Sequence, residues 1–172
     1  MTGYATVRTV LGIVGLLQSP RGLAAVTLPQ ESKEAAVLHL RKSASRAHSM
    51  LVEAPAEDFG MLCEMMRQYA LGIPQSFEVT LDTNGWTDFQ VRVWRATQEI
   101  PYGETRSYSW VARTACNPRA CRATGQALHH NPFPIVVPCH RVIGADGKLT
   151  GFGGGLEMKR RLLSLEGFNN GL

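Results

Sequence analysis

The sequence predicts a mixed α/β protein in two parts, and three observations carry that prediction. Residues 9–29 read as two apolar strands joined by a turn at Ser19-Pro20-Arg21-Gly22, and helical spacing follows. Residues 107–130 read as two short helices with a tight turn between them. Then comes "NPFPIVVPCHRVIGADG" at 131–147, where an apolar run ends in adjacent cysteine, histidine and arginine. Desolvating such groups without partners costs several kcal/mol. Either a strand surfaces into solvent there, or the stretch is a chemical site.

The bulk properties bound the answer. A length of 172 residues allows one ordinary domain or two small ones. With 44% apolar and 19% charged residues the chain has the composition of a globular protein, not of a disordered one. The net charge of +4 is unevenly spread. Residues 1–87 hold 7 Lys/Arg and 8 Asp/Glu, net −1, whereas residues 88–172 hold 11 and 6, net +5. The basic excess suits a polyanion-binding surface, and equally a solvated basic face. Cys63, Cys116, Cys121 and Cys139 form no C-x-x-C pair, and the histidines lack zinc-finger spacing, so no metal is expected. "LGIVGLL" at 11–17 is too short to span a bilayer and lacks a cleavage pattern, so it reads as a strand. Free thiols in a reducing cytoplasm, with no membrane partner, are the expectation.

The front half continues as a small α/β unit. "ESKEAAVLHLRKS" reads as a helix, and "EDFGMLCEMMRQYALG" as a second. In the second, Phe59, Leu62, Cys63, Met66 and Ala70 recur at helical spacing and Gly72 is the stop. "SFEVTLD" alternates with period two, as a half-buried strand does. A boundary falls near residues 82–85, dividing the chain into domains 1–84 and 85–172.

In the second domain "TDFQ" at 87–90 is a capping box opening a helix, with Phe89, Val93, Trp94 and Ala96 through Ile100 on its apolar face. Pro101 and Gly103 end it. Ser107 can cap a helix over 108–115. After a turn at Cys116-Asn117, Asn117 is expected to cap the next helix with Pro118 at its first position, Arg119 and Arg122 along it, and Asn131-Pro132 as its stop. The two make a helix-turn-helix candidate. An apolar strand then leads to Cys139, and "GADG" turns the chain. "TGFGGG" is a glycine-rich loop without the G-K-[ST] of a phosphate site. The last helix is expected to turn Leu156, Leu162, Leu163 and Leu165 inward.

"FQVRVWRATQEIPYGETRSY", "NPRACRATGQALHHNPFPIVVPCHRV" and "GKLTGFGGGLEMKRRLLSLEG" resemble the O6-alkylguanine-DNA alkyltransferases, also called methylated-DNA–protein-cysteine methyltransferases. The match runs almost without gaps over residues 86–167, and the P-C-H-R-V core with its flanks is specific. The first half resembles the family's variable N-terminal domain only loosely. The resemblance implies a ribonuclease-H-like α/β domain followed by a winged-helix-like domain with a helix-turn-helix. It implies repair of double-stranded DNA through the minor groove, with the O6-alkylguanine flipped out and its alkyl group moved irreversibly to one cysteine. O4-alkylthymine is a second implied substrate. No cofactor is implied, and the protein is expected to act as a monomer, cooperatively on DNA.

Displacement at an alkyl carbon needs a soft nucleophile, and a cysteine serves once it is a thiolate. Cys139 is the implied acceptor and His140 its base. Neighbours on a strand point to opposite faces, so a bridging water is expected between them. Local sequence alone slightly favours Cys139 as an inert buried thiol, and favours Glu166 as a surface helix residue. The family match gives Glu166 the role of orienting the imidazole and gives Asn131 the tie, by side-chain hydrogen bonds, between the helix-turn-helix and the active-site strand. Arg122 corresponds to the finger that fills the vacated base stack, and Tyr108 to the tyrosine that crowds the 3′ phosphate. By the same resemblance Ser107, Ala123 and Gly125 lie at the DNA surface. Pro134, the Val142 carbonyl, Phe152 and Gly153 line the base pocket, and Arg141 makes a structural ion pair.

Three departures stand out. Phe152 replaces a frequent tyrosine, Gly153 replaces a serine found in some members, and Cys116 occupies a turn position often held by glycine. Three other readings remain open at this point: a lesion-binding protein without transfer activity, a winged-helix regulator using Cys139 as a sensor, and a cysteine hydrolase. The first is disfavoured by the presence of Cys139 itself.

Overall fold

The computed structural model describes residues 2–46 and 50–168 and divides the chain into two compact units, Met1–Gly85 and Trp86–Leu172. Both mix helix and sheet.

The first unit is a four-stranded sheet carrying helices. Its strands are β1 (Thr2–Thr9), β2 (Gly12–Ser19), β3 (Gly22–Val26) and β4 (Leu51–Glu53), in the order β3-β2-β1-β4. The first three pair antiparallel, and β4 lies parallel to β1. The parallel pairing requires a crossover, which α1 (Lys33–Arg46) supplies. The Ser32 hydroxyl caps α1 by accepting from Ala35 N–H at 3.1 Å. Ala36, Leu40 and Ala44, four residues apart, form its buried stripe, and Leu40 and Ala44 pack on Leu17 and Ala25 of the sheet. After β4 a 3-10 turn (Ala56–Phe59) precedes α2 (Leu62–Ala70).

Sequence reading found the β2–β3 hairpin, α1 and the buried face of α2. Phe59, Leu62, Cys63, Met66 and Ala70 are all buried as expected. The helix is interrupted, however: Gly60 at φ 55 separates the 3-10 turn from α2. Strands β1 and β4 went unread because "TGYATVRT" is mostly polar and small, and a three-residue strand leaves no period to count. The 76–82 segment is not a strand. Exposed and half-buried residues do alternate there, but among the described residues only Leu81 forms a bridge, to Leu23, and the other backbone bonds are local turns such as Val79 N–H to the Phe77 carbonyl at 3.0 Å. Period two reports an extended chain against a surface and does not by itself create a pairing partner.

The second unit is mostly helical: α3 (Asp88–Gln98), α4 (Tyr108–Thr114), α5 (Cys121–His129) and α6 (Gly155–Leu165), with a short parallel pair of β5 (Arg106–Ser107) and β6 (Val142–Ile143). The capping box is present: Gln90 N–H donates to the Thr87 hydroxyl at 3.2 Å, and Thr87 N–H donates to the Gln90 side-chain oxygen at 3.0 Å. Trp94 anchors the core. Its indole N–H donates to the Ala127 carbonyl at 3.0 Å, and its ring meets Trp86 and Phe133 edge-on at 5.1 and 5.6 Å.

Two boundaries move. Ser107 caps α4 as expected, accepting from Trp110 N–H, but α5 begins at Cys121 and has no side-chain cap. Residues 117–120 instead form a turn closed by Ala120 N–H on the Asn117 carbonyl, so Asn117 is no cap and Arg119 stands off the helix. The expected apolar strand before Cys139 is also absent. Residues 133–137 fold into a tight turn in which Val137 N–H donates to the Phe133 carbonyl at 2.7 Å, and Ile135 sits at φ 75. A β-branched residue at positive φ is strained and persists only where its surroundings force it.

Candidate active site

Cys139, His140 and Arg141 form one buried 3-10 turn rather than a strand end. Three residues per turn keep neighbours on adjacent, not opposite, faces, so the alternation argument for Cys139 and His140 does not apply. The turn is held from two sides.

Asn131, just beyond α5, holds the first side. Its side-chain N–H group donates to the Val137 carbonyl at 3.0 Å and to Cys139 Sγ at 3.2 Å, while its side-chain oxygen accepts from Phe133 N–H at 2.9 Å. One amide thus pins both ends of the strained 133–137 turn and touches the thiol.

Glu166, the C-terminal cap of α6, holds the other side. Its Oε1 is 2.7 Å from His140 Nε2 and 3.0 Å from Arg141 Nη2, and its Oε2 is 2.8 Å from Arg141 Nε. Gly103 N–H adds a bond to Oε2 at 3.2 Å, and Arg141 Nη1 donates to the Ile100 carbonyl at 2.7 Å. Gly103 lies at φ 76, and a Cβ there would come within 2.9 Å of the Glu166 carbonyl oxygen. Only glycine tolerates both conditions.

Electrostatics follow from this packing. Burial alone would raise the Glu166 carboxyl, but hydrogen bonds and charge from His140 and Arg141 outweigh it and hold the group at about 2. Burial pushes the His140 imidazole down, against the pull of Glu166. Burial also pushes the Cys139 thiol up, against the Asn131 hydrogen bond and the positive charge of Lys159. At rest the site therefore holds a thiol, a neutral imidazole and a carboxylate.

The other residues singled out in the sequence stand on α4 and α5 and the segments flanking them, in the turn before Cys139, in β6 and in the loop before α6. Tyr108 opens α4, half-buried, and its hydroxyl donates toward the Thr150 and Gly151 carbonyls at 3.3 and 3.2 Å. Gly125 lies across from the Tyr108 ring, where a Cβ would meet it at 3.8 Å. Arg122 and Ala123 are exposed on the first turn of α5, and Ser107 is the α4 cap. Pro134 is half-buried in its bridge to Val137, and Val142 is buried in β6. Phe152 is half-buried and Gly153 exposed in the loop before α6. Cys116 stands at φ 59, the strained turn position anticipated for it. The four cysteines are free thiols. Among the described residues no cluster of three metal-ligating side chains occurs, and no helix is long and apolar enough to cross a membrane.

Sequence reading missed Lys159. Leu156, expected inward, is exposed, and the buried stripe of α6 is Lys159, Leu162, Leu163 and Glu166. Their spacing of i, i+3, i+4 and i+7 is that of a core face. A lysine and a glutamate at its two ends were the signal. Lys159 Nζ donates to the Val142 carbonyl at 2.5 Å and the Thr150 carbonyl at 2.8 Å, and lies 5.9 Å from the Tyr108 ring centre.

Fold and centre together define a class: a buried thiol in a turn with an imidazole, backed by a carboxylate, in a helical unit with an exposed basic hairpin. Residues 88–168 match the DNA-binding domain of 6-O-methylguanine DNA methyltransferase. The chain is 56% identical over 108 residues to the methylated-DNA–protein-cysteine methyltransferase of Mycolicibacterium paratuberculosis, covering 63% of this chain and 65% of that one. It is 51% identical over 111 residues to the protein of that name in Methanosarcina acetivorans, covering 64% of this chain and 70% of that one. The fold superimposes on the crystal structure of Mycobacterium tuberculosis OGT in complex with DNA with a TM-score of 0.76 and 41% identity, over 95% of this chain and 92% of that one. The chain belongs to the methylated-DNA–protein-cysteine methyltransferase family. Its aligned stretch spans 65% of the length of the mycobacterial relative.

Proposed function

We propose that this protein repairs alkylated DNA by moving the alkyl group of O6-alkylguanine, and of O4-alkylthymine, once and irreversibly to Cys139. The observation that carries this reading is the Cys139–His140 turn held between Asn131 and Glu166. His140 spends Nε2 on Glu166, so Nδ1 is the nitrogen left to take the thiol proton, through a bridging water. Glu166 stabilises the imidazolium that forms, and the Asn131 amide donates to the developing thiolate. The sulfur attacks the alkyl carbon, the S–C bond forms and the C–O6 bond breaks. The thiol's proton returns from His140 to the departing guanine, leaving a thioether and an unmodified base. Nothing in this sequence regenerates the thiol, and no cofactor takes part.

DNA is met through the minor groove by the α4–α5 hairpin; the crystal structure of the Mycobacterium tuberculosis relative in complex with DNA supports the DNA partner. Arg122 fills the gap left by the flipped base and Tyr108 crowds the phosphate. Ser107, Ala123 and Gly125 let the backbone approach the duplex. Pro134, the Val142 carbonyl, Phe152 and Gly153 receive the base. The order β3-β2-β1-β4 with one parallel edge supports a ribonuclease-H-like first domain. The α4–α5 hairpin beside a small sheet supports a winged-helix-like second one. The protein acts as a monomer, cooperatively along DNA, in the cytoplasm.

The test is intact-mass analysis after mixing the protein with a duplex carrying O6-methylguanine. One added methyl group, mapped to Cys139, is expected, with the reaction stopping after one equivalent. Cys139→Ala should bind the duplex and gain no methyl. Transfer persisting in that variant, or continued turnover in the wild type, would sink the assignment.

A further inference from the structure

The α6 stripe buries a cation and an anion at opposite ends, Lys159 and Glu166. Seven residues of helix separate them by about 10 Å. They are also not partners, because Glu166 is taken up by Arg141 and His140. Among the described residues Lys159 donates hydrogen bonds to two backbone carbonyls, Val142 and Thr150. Carbonyl dipoles solvate an ammonium but carry no net charge, and a buried cation without an anion is costly. Burial accordingly draws Lys159 down to about 8, against the opposing pull of Cys139. The effect is reciprocal, since the Lys159 charge lowers the Cys139 thiol. Anchorage supports the pairing: Val142 closes the turn that bears Cys139, its N–H donating to the Cys139 carbonyl, so the ammonium grips the same turn as the sulfur.

We infer that Lys159 is the counter-charge of the Cys139 thiolate, a positioning residue that favours ionisation of the sulfur. The inference rests on Cys139 being the nucleophile. Tyr108 from α4 and His140 from the turn are the other titratable groups facing the pair. Arg141 stands behind His140 but is neutralised by its two bonds to Glu166. The bond balance of the transfer is unchanged: Lys159 neither gives nor takes the thiol proton.

The experiment follows the rate at which iodoacetamide modifies Cys139 as a function of pH, read by peptide mass in the wild type, Lys159→Met and Lys159→Arg. Loss of the charge in Lys159→Met should move the midpoint up by about one pH unit. At neutral pH that lowers the rate about tenfold. Lys159→Arg should restore most of it. A purely structural lysine would leave the midpoint in place, so superimposed wild-type and Lys159→Met profiles would overturn the inference. Should Lys159→Met fail to fold, the reciprocal measurement decides: NMR titration of the Lys159 amine in the wild type and in Cys139→Ala. A lower Lys159 midpoint in Cys139→Ala is expected, and identical titrations would refute the pairing. Failure of the repair reading appears separately, as a missing methyl on Cys139 after incubation with the alkylated duplex.

Discussion

Glu166 and His140 meet at 2.7 Å with both side chains fully buried, and Arg141 completes the cluster by gripping the same carboxylate through two nitrogens. The three residues couple the end of α6 to the turn that carries the thiol. The cluster is consequently both a catalytic proposal and a structural joint, and its loss should register in stability as well as rate.

Glu166→Gln leaves the Arg141 guanidinium buried without its anion. Removing one partner of a buried pair costs about 3–5 kcal/mol, and that loss is expected at neutral pH by urea unfolding. The pH dependence has a definite sign. The Glu166 carboxyl is lowered from 4.5 to about 2 in the folded protein, so its contribution is complete above pH 4.5 and is lost as pH falls toward 2. The gap between wild type and variant should therefore narrow in acid. A constant gap from pH 7 to 3 would show that the carboxylate charge is not what stabilises the joint.

Arg122→Ala should slow transfer from duplex DNA far more than transfer from free O6-benzylguanine. Arg122 is exposed on the first turn of α5, and as a finger that fills the vacated stack it gives nothing to a base that needs no flipping. Single-turnover rates on the two substrates decide. Equal losses would mean that Arg122 supports the fold or the pocket.

Cys116→Gly should stabilise the protein. Cys116 is exposed at φ 59, where a side chain is strained by about 1–2 kcal/mol. The greater freedom of glycine in the unfolded chain offsets part of this, about 0.5–1 kcal/mol. A net gain of about 0.5–1 kcal/mol with unchanged transfer is expected from chemical denaturation. A loss of stability would show that the thiol makes a contact worth more than the strain.

Phe152→Tyr should speed transfer from O6-methylguanine DNA. The half-buried Phe152 ring can stack on the base but offers no donor to the departing O6. A well-placed donor to a developing oxyanion is worth about 2.7–4 kcal/mol. Here the gain should be smaller, up to about tenfold or ~1.4 kcal/mol, because protonation is only part of the barrier. The gain should vanish for an analogue without that oxygen. An unchanged rate with intact binding would mean the phenol does not reach O6.

Much of the second unit was legible in one dimension. The capping box at Thr87, the Ser107 cap and the α3 face are local features, written in residues a few positions apart, and they formed as read. The Cys139-His140 adjacency was equally visible, because such residue types are rare at the end of an apolar run, whereas Arg122 was singled out by the family resemblance. Tertiary structure alone decided the rest. Strands β1 and β4 exist because β2 and the α1 crossover offer them partners, not because their own sequences demand extension. The 76–82 segment has the right period yet gains one bridge, since pairing is a property of two segments and periodicity of one. The apolar run before Cys139 became a strained turn because Asn131 binds both of its ends, a constraint set by a residue outside the run. Glu166, which alone read as a surface residue, and Lys159, which the sequence reading passed over, are buried for the same reason. Burial of an ionised group depends on partners brought from Val142, Thr150, His140 and Arg141, and only the folded chain assembles them.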